Sequence, residues 1–278
     1  MLTVMRSAYS ETILARLGAA VFFLILGLGA TFATVKAEET GLVKALDTPS
    51  NTPVLLELFT SQGCSSCPPA DALFDELRNK PGIITLSFSV DYWNYLGWHD
   101  TLSSPENSDR QRDYALSRGD GKVYTPQVVV DGIKHVNGAN EAAIEMAIRT
   151  AERRLRDVKV TMSMRAEGDS LIVDIGGAPA TSDMRQATVW LAVARNEETV
   201  KITRGENRGE TITYTHPVRE LMPVGMWEGE PTTLRLPLKD LRAIGGDCLV
   251  SMLQVEGAGP ILGAAMFQPR QELRTSGP

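Results

Sequence analysis

The chain has 278 residues, 43% of them hydrophobic, enough to bury one large core or two smaller ones. Its 28 Lys and Arg are outnumbered by 34 Asp and Glu, and the net charge of −6 lacks the basic footprint of a nucleic-acid binder. Three cysteines, an odd number, exclude a fully paired disulfide framework within one chain.

Arg6 and Arg16 lead into an apolar stretch from Leu17 to Thr34, and the polar run Lys36-Ala37-Glu38-Glu39 follows. This is the pattern of a secretory signal peptide, with small residues near Ala37 for the cut. An uncleaved membrane anchor is the competing reading, because the stretch approaches the ~18 residues that span a bilayer. Cleavage after Ala37 removes Arg6, Arg16, Lys36 and Glu11 and takes the net charge from −6 to −8. The expected product is exported, periplasmic or secreted, and free of the membrane unless the signal is retained. An oxidising compartment pairs thiols unless a dedicated system reduces them.

Residues 38–52 read as a linker. Val54 to Phe59 is an apolar run suited to a strand buried on both faces, interrupted only by Glu57. After the turn Thr60-Ser61-Gln62-Gly63, the sequence Cys64-Ser65-Ser66-Cys67-Pro68-Pro69 opens a helix that runs to Arg78. Ile83 to Val90 is a second strand, and a right-handed crossover makes it parallel to the first. Asp91 to Val123 is an insertion with a helix expected from Ser108 to Arg118. Val128 to Val136 reads as a hairpin turned at Asp131-Gly132, and Asn140 caps a helix over Glu141 to Arg156. From Lys159 onward about seven short strands, at Lys159 to Met164, Leu171 to Ile175, Val189 to Ala194, Thr199 to Thr203, Thr211 to Val218, Thr232 to Pro237 and Cys248 to Gln254, suggest with their glycine-rich and charged turns a β-sandwich. The organisation expected is thus signal peptide 1–37, linker 38–52, an α/β domain 53–157 and an all-β sandwich-like domain 158–278.

A Cys-x-x-Cys between a buried strand and a helix has a specific chemical use. The first thiol lies beyond the helix N-terminus, where unpaired amides and the macrodipole lower its pKa. Cys64 is therefore the candidate nucleophile and Cys67, further inside, the resolving thiol. The alternatives are a structural disulfide or a metal site, although zinc normally needs four ligands and no second pair is present. Tyr92, Trp93, Tyr95, Trp98 and His99 are brought to the same sheet edge, as an aromatic wall for a substrate or as a satellite core. His135 and His216 read as strand residues, Arg204 to Gly209 as a solvated hairpin, and Cys248 as a small buried hydrophobe.

Two separated motifs, Cys64-Ser65-Ser66-Cys67-Pro68 and Tyr124-Thr125-Pro126-Gln127-Val128, resemble the thioredoxin superfamily. That resemblance implies a cis Pro126 that shapes the substrate groove and a Thr125 backbone that binds an extended chain; Tyr92, Trp93, Trp98 and Tyr124 are the substrate-binding candidates. It also implies a buried acid on the first strand, for which Glu57 is the candidate, one residue further from Cys64 than the superfamily places it. More narrowly, Phe59 to Cys64, Asp91-Tyr92-Trp93, Leu96-Gly97-Trp98, Arg110-Gln111-Arg112, Tyr124 to Gln127 and Arg204 to Asn207 resemble a bacterial exported family catalogued as domain of unknown function 1223. The function expected is thiol-disulfide exchange on protein or small-molecule disulfides, with a redox partner protein and no cofactor. Two rivals stay open: a copper(I) chaperone using Cys64, Cys67 and His99, and a non-enzymatic binding module.

Overall fold

The computed structural model describes residues 52–269; the signal peptide and all of the linker except Thr52 lie outside them. β1 (Val54–Thr60) is buried at every position. Val54, Leu56 and Leu58 enter one core, Leu55 and Phe59 another, as alternation on a strand covered on both faces requires. It pairs in parallel with β2 (Ile83–Ser89) across the crossover helix α1 (Pro68–Leu77). On its other edge it pairs antiparallel with β3 (Gln127–Val130), which turns back into β4 (Lys134–Asn137). The sheet order is β2-β1-β3-β4.

The β3–β4 connection spans residues 131–133, with Ile133 N–H donating to the Val130 carbonyl (3.0 Å) around Asp131 and Gly132, whose φ of 44° and 72° are both positive as the primed turn between them demands. A side chain on Gly132 would put Cβ 2.4 Å from the Gly259 carbonyl oxygen, so the turn also needs glycine for close approach. α2 (Pro105–Arg118) begins three residues before the expected Ser108. Ser104 caps it by accepting from the Asn107 amide, and Pro105 takes a first-turn position where a missing N–H costs nothing. α3 (Glu141–Leu155) carries the expected cap, Asn140 accepting from the Ala143 amide.

Among the described residues nine strands follow rather than about seven. They are β5 (Met162–Glu167), β6 (Ser170–Ile175), β7 (Ala187–Ala194), β8 (Glu197–Lys201), β9 (Thr211–Thr215), β10 (Val218–Trp227), β11 (Thr232–Pro237), β12 (Cys248–Gln254) and β13 (Ile261–Phe267), with a short α4 (Leu238–Ala243). They form sheets ordered β10-β7-β12-β13 and β11-β6-β5 and the hairpin β8-β9. Val189, Leu191 and Val193 of β7 face β6, sharing a core with Leu171, Val173 and Ile175.

The layers pack against one another through shared cores. α1 and α3 cover one face of the first sheet through Ala70, Phe74, Ile144 and Ala151. On the other face Leu55, Phe59, Leu86 and Phe88 share a core with Ala192, Val250, Met252 and Ile261 of the four-stranded sheet. The boundary expected between 157 and 158 falls just after α3, and the halves it separates share this core.

Candidate active site

β1 ends at a tight turn in which the Cys64 amide donates to the Ser61 carbonyl (3.1 Å) and the Gly63 amide to Ser61 Oγ (3.1 Å). Cys67 N–H then donates to the Cys64 carbonyl (3.1 Å), and the amides of Ala70 and Asp71 donate to the Cys67 carbonyl (2.8 and 3.1 Å). Cys64 and Cys67 form a disulfide with Cα atoms 5.4 Å apart. Cys67 is the N-cap of α1, and prolines follow it in the first turn. These prolines carry no N–H, and the next two amides are already bonded. The unpaired donors expected beside Cys64 are therefore missing there.

Both cysteines are covered, each 1% exposed, while Ser65 and Ser66 between them are exposed. The sequence reading buries Cys67 more deeply; the structure encloses Cys64 equally. Trp93 forms part of the surroundings. A Cβ on Gly63 would lie 3.1 Å from Trp93 Cβ, and the Trp93 indole N–H donates to Thr125 Oγ1 at 2.8 Å. One residue, Trp93, thus lies against the residue before Cys64 and bonds the residue before Pro126. The Thr125-Pro126 bond is cis, and Gly138 sits between Pro126 and Ala70 of α1, its Cβ position 3.2 Å from each.

The insertion is tied to the cysteine loop through Gln62. Its Oε1 accepts from the Trp98 indole (2.8 Å) and the Thr101 amide (3.2 Å), and its own amide donates to Asp100 Oδ2 (2.8 Å). Tyr95 is 78% exposed and adds no wall. Tyr92 donates to Gln111 Oε1 (3.0 Å), and burial pushes its pKa up to about 12. Gln111 in turn donates to the Tyr124 carbonyl (2.8 Å), fixing the residues ahead of Pro126. Tyr124 pairs through its hydroxyl with His135 (2.9 Å), whose pKa burial lowers.

Glu57 does not serve the cysteines. It is fully buried on the face of β1 opposite α1, its Oε1 accepts from Arg110 Nε at 2.7 Å, and its Oε2 accepts from the Tyr114 hydroxyl. Alternation gave its face correctly, but not that the helix bearing Cys67 covers the other one. The acid nearest in the chain to Cys67 on α1 is Asp71, one turn further on. Its Oδ1 accepts from Thr60 Oγ1 (2.8 Å), its Oδ2 is buried without a partner, and burial holds its pKa well above the usual carboxylate range, with Asp100 adding to the rise. Sequence reasoning missed it. The available signal was an acid inside an apolar helical stripe four residues after a cysteine.

A second unforeseen contact comes from the β8–β9 loop. Asn207, 6% exposed, donates from Nδ2 to the carbonyls of both Gln62 (3.0 Å) and Cys64 (2.9 Å). His99 is exposed and bonded to Asn94 (3.2 Å). Among the described residues no group of three or more His, Cys, Asp or Glu is placed to hold a metal, so Cys64, Cys67 and His99 do not form the expected trio. His216 is buried between Thr85 and Gln268. Cys248 lies in β12, its thiol pushed up to about 12 by burial, as an inert core cysteine. A separate cavity of about 810 Å³ opens between α2 and the β7–β10 edge, lined by Phe88, Arg110, Trp190 and Leu221 among others.

Fold and site together define a mixed α/β protein with a Cys-x-x-Cys disulfide at the head of a helix. Residues 55–254 match the family described as "Protein of unknown function (DUF1223)", and the chain belongs to that family. A crystal structure of a protein from Agrobacterium tumefaciens is similar to it, at 35% identity and a TM-score of 0.69, over 77% of this chain and 93% of that one. HBP35 of Porphyromonas gingivalis shares the fold at 13% identity and a TM-score of 0.51, over 78% of this chain and 75% of that one. No curated protein matches the chain.

Proposed function

We propose that the protein is an exported thiol-disulfide oxidoreductase of thioredoxin-like build, acting through Cys64 and Cys67 on protein or small-molecule disulfides. The observation that carries this reading is Trp93, whose Cβ and backbone pack against Gly63 beside the cysteine pair while its indole donates to Thr125 beside Pro126. A disulfide between residues three apart at a helix N-terminus, linked through Trp93 to the residue before a cis proline, supports exchange. A disulfide also suits an oxidising compartment.

In the reduced protein the Cys64 thiolate attacks one sulfur of a substrate disulfide. A Cys64-substrate bond forms, the substrate S–S bond breaks, and the first substrate thiolate leaves and takes a proton from water. The Cys67 thiol then passes its proton to the Asp71 carboxylate and attacks Cys64 Sγ. The Cys64-Cys67 bond forms, and the second substrate thiolate leaves and takes the proton held by Asp71. Two electrons pass from the dithiol to the substrate, and a redox partner protein restores the dithiol. Asp71 fits its part because residues four apart share a helix face, its side chain leans toward the N-terminus, and one of its oxygens is unpaired. A raised pKa matches a carboxyl to a thiol proton.

The test is Cys67→Ala incubated with insulin. Adducts joined through Cys64, dissolved by reductant and absent from Cys64→Ser/Cys67→Ala, are expected. No adduct from a folded Cys67→Ala variant argues against the reading.

A further inference from the structure

The loop Arg204–Gly209 is the motif that exchange chemistry leaves unused, yet it reaches the reactive turn. Ile202, fully buried beside Trp98, Ile212 and Tyr214, anchors its first arm. Its arms are closed by Gly209 N–H to the Ile202 carbonyl (2.9 Å) and Ile202 N–H to the Glu210 carbonyl (2.9 Å). Gly205, at φ 77°, lies against Trp98, where a Cβ would come within 3.0 Å of Trp98 Cβ. The loop is held in place from beneath, with Asn207 buried and aimed at the cysteine turn.

Asn207 Nδ2 donates to two carbonyls of that turn, Gln62 and Cys64. The Cys64 carbonyl already accepts from Cys67 N–H, so the peptide plane after Cys64 is fixed from two sides. Cys64 and Cys67 are enclosed while Ser65 and Ser66 between them face outward, and Cys64 Sγ lies 3.4 Å from Ser66 Oγ, so the disulfide sits beneath the exposed Ser65-Ser66 segment. The segment that covers Cys64 Sγ begins at the carbonyl Asn207 holds, so swinging it aside for an outside reactant pulls against the Asn207 bond. We propose that Asn207 is a positioning residue, a latch through which the β-rich half governs access to the Cys64-Cys67 bond. The purpose of the latch rests on the exchange reading; its effect on access does not.

The test is the rate at which tris(2-carboxyethyl)phosphine, a reductant that needs no enzyme, opens the disulfide of the intact protein, read by mass after alkylation. The parent is expected to react more slowly than an oxidised peptide spanning Gln62 to Ala70. Asn207→Ala should react about tenfold faster than the parent, the scale set by two hydrogen bonds partly replaced by water. Asn207→Asp, which keeps size but loses the donor, should also be faster, and Arg208→Ala, an exposed neighbour, should match the parent. Thermal midpoints report whether each variant stays folded. A folded Asn207→Ala reduced at the parental rate overturns the latch. If that variant does not fold, a parent reduced as fast as the peptide overturns it instead. A failed latch leaves exchange standing; slow reduction without Cys67→Ala adducts leaves the latch and removes exchange.

Discussion

Asp71 carries the cost of a carboxyl buried with one oxygen unpaired, and such groups persist where they serve chemistry. Its folded-state pKa is raised above the unfolded 3.8, so the stability gained from its protonation is fully present below 3.8 and is lost as pH rises through the raised value. Asp71→Asn lacks that loss. It should be more stable than the parent at neutral pH, with the gap closing toward pH 3, as urea unfolding at both ends would read. The same variant should leave adduct formation at Cys64 intact and slow its resolution by Cys67 about a hundredfold, the usual scale for losing a proton acceptor. His216 behaves oppositely in the same window. Burial lowers its pKa to about 4, so stability is present above the unfolded value of 6.5 and falls as pH drops toward 4, by about 1.4 kcal/mol per unit. His216→Asn, tolerated at the positive φ of 44°, should flatten that slope relative to the parent.

At the scale of elements, local chemistry read well where one or two residues dictate geometry. Asp131-Gly132 named its own turn and Asn140 its own cap, because both effects are confined to a few backbone atoms. β10 was hidden: Pro223 and Gly225 sit inside it, and two register shifts against β7 break the alternation that a sequence pattern needs. β13 was hidden for another reason, being small and glycine-containing where it packs against Val160. Asp131 also shows what turn chemistry leaves out. Its Oδ1 accepts from the Leu55 amide (2.9 Å) and its Oδ2 from Lys159 Nζ (2.8 Å), both side chains nearly inaccessible. Asp131→Asn keeps the turn conformation but strands a buried ammonium. It should cost about 3 kcal/mol in urea unfolding at neutral pH, the usual scale for breaking a buried pair.

For the molecule as a whole, the change of texture near residue 158 was legible, and the packing across it was not. Patterning tells which face of β1 is apolar but not what covers it, and here the cover comes from residues more than a hundred positions away. Arg110 makes the link concrete: from α2 it binds Glu57 of β1, Gln254 of β12 and the Tyr114 hydroxyl, all buried. Arg110→Ala leaves Glu57 without its charge partner and should cost about 3–5 kcal/mol, measured by urea unfolding. Residues 52–157 expressed alone would bare Leu55, Phe59, Leu86 and Phe88 to water and should fail to unfold cooperatively. The candidate site divides the same way. Cys64, Cys67, Trp93, Thr125 and Pro126 were visible as motifs, whereas Asn207 looked like a solvated turn residue because its partners are backbone carbonyls of a distant loop.

The most direct measurement is equilibration of the full protein in glutathione buffers of graded potential, with the Cys64-Cys67 state read by alkylation and mass. Exchange chemistry predicts a reversible two-electron transition, about 30 mV per tenfold change in ratio, centred above about −300 mV. A bond that stays closed below that potential would be a structural staple and would contradict the account.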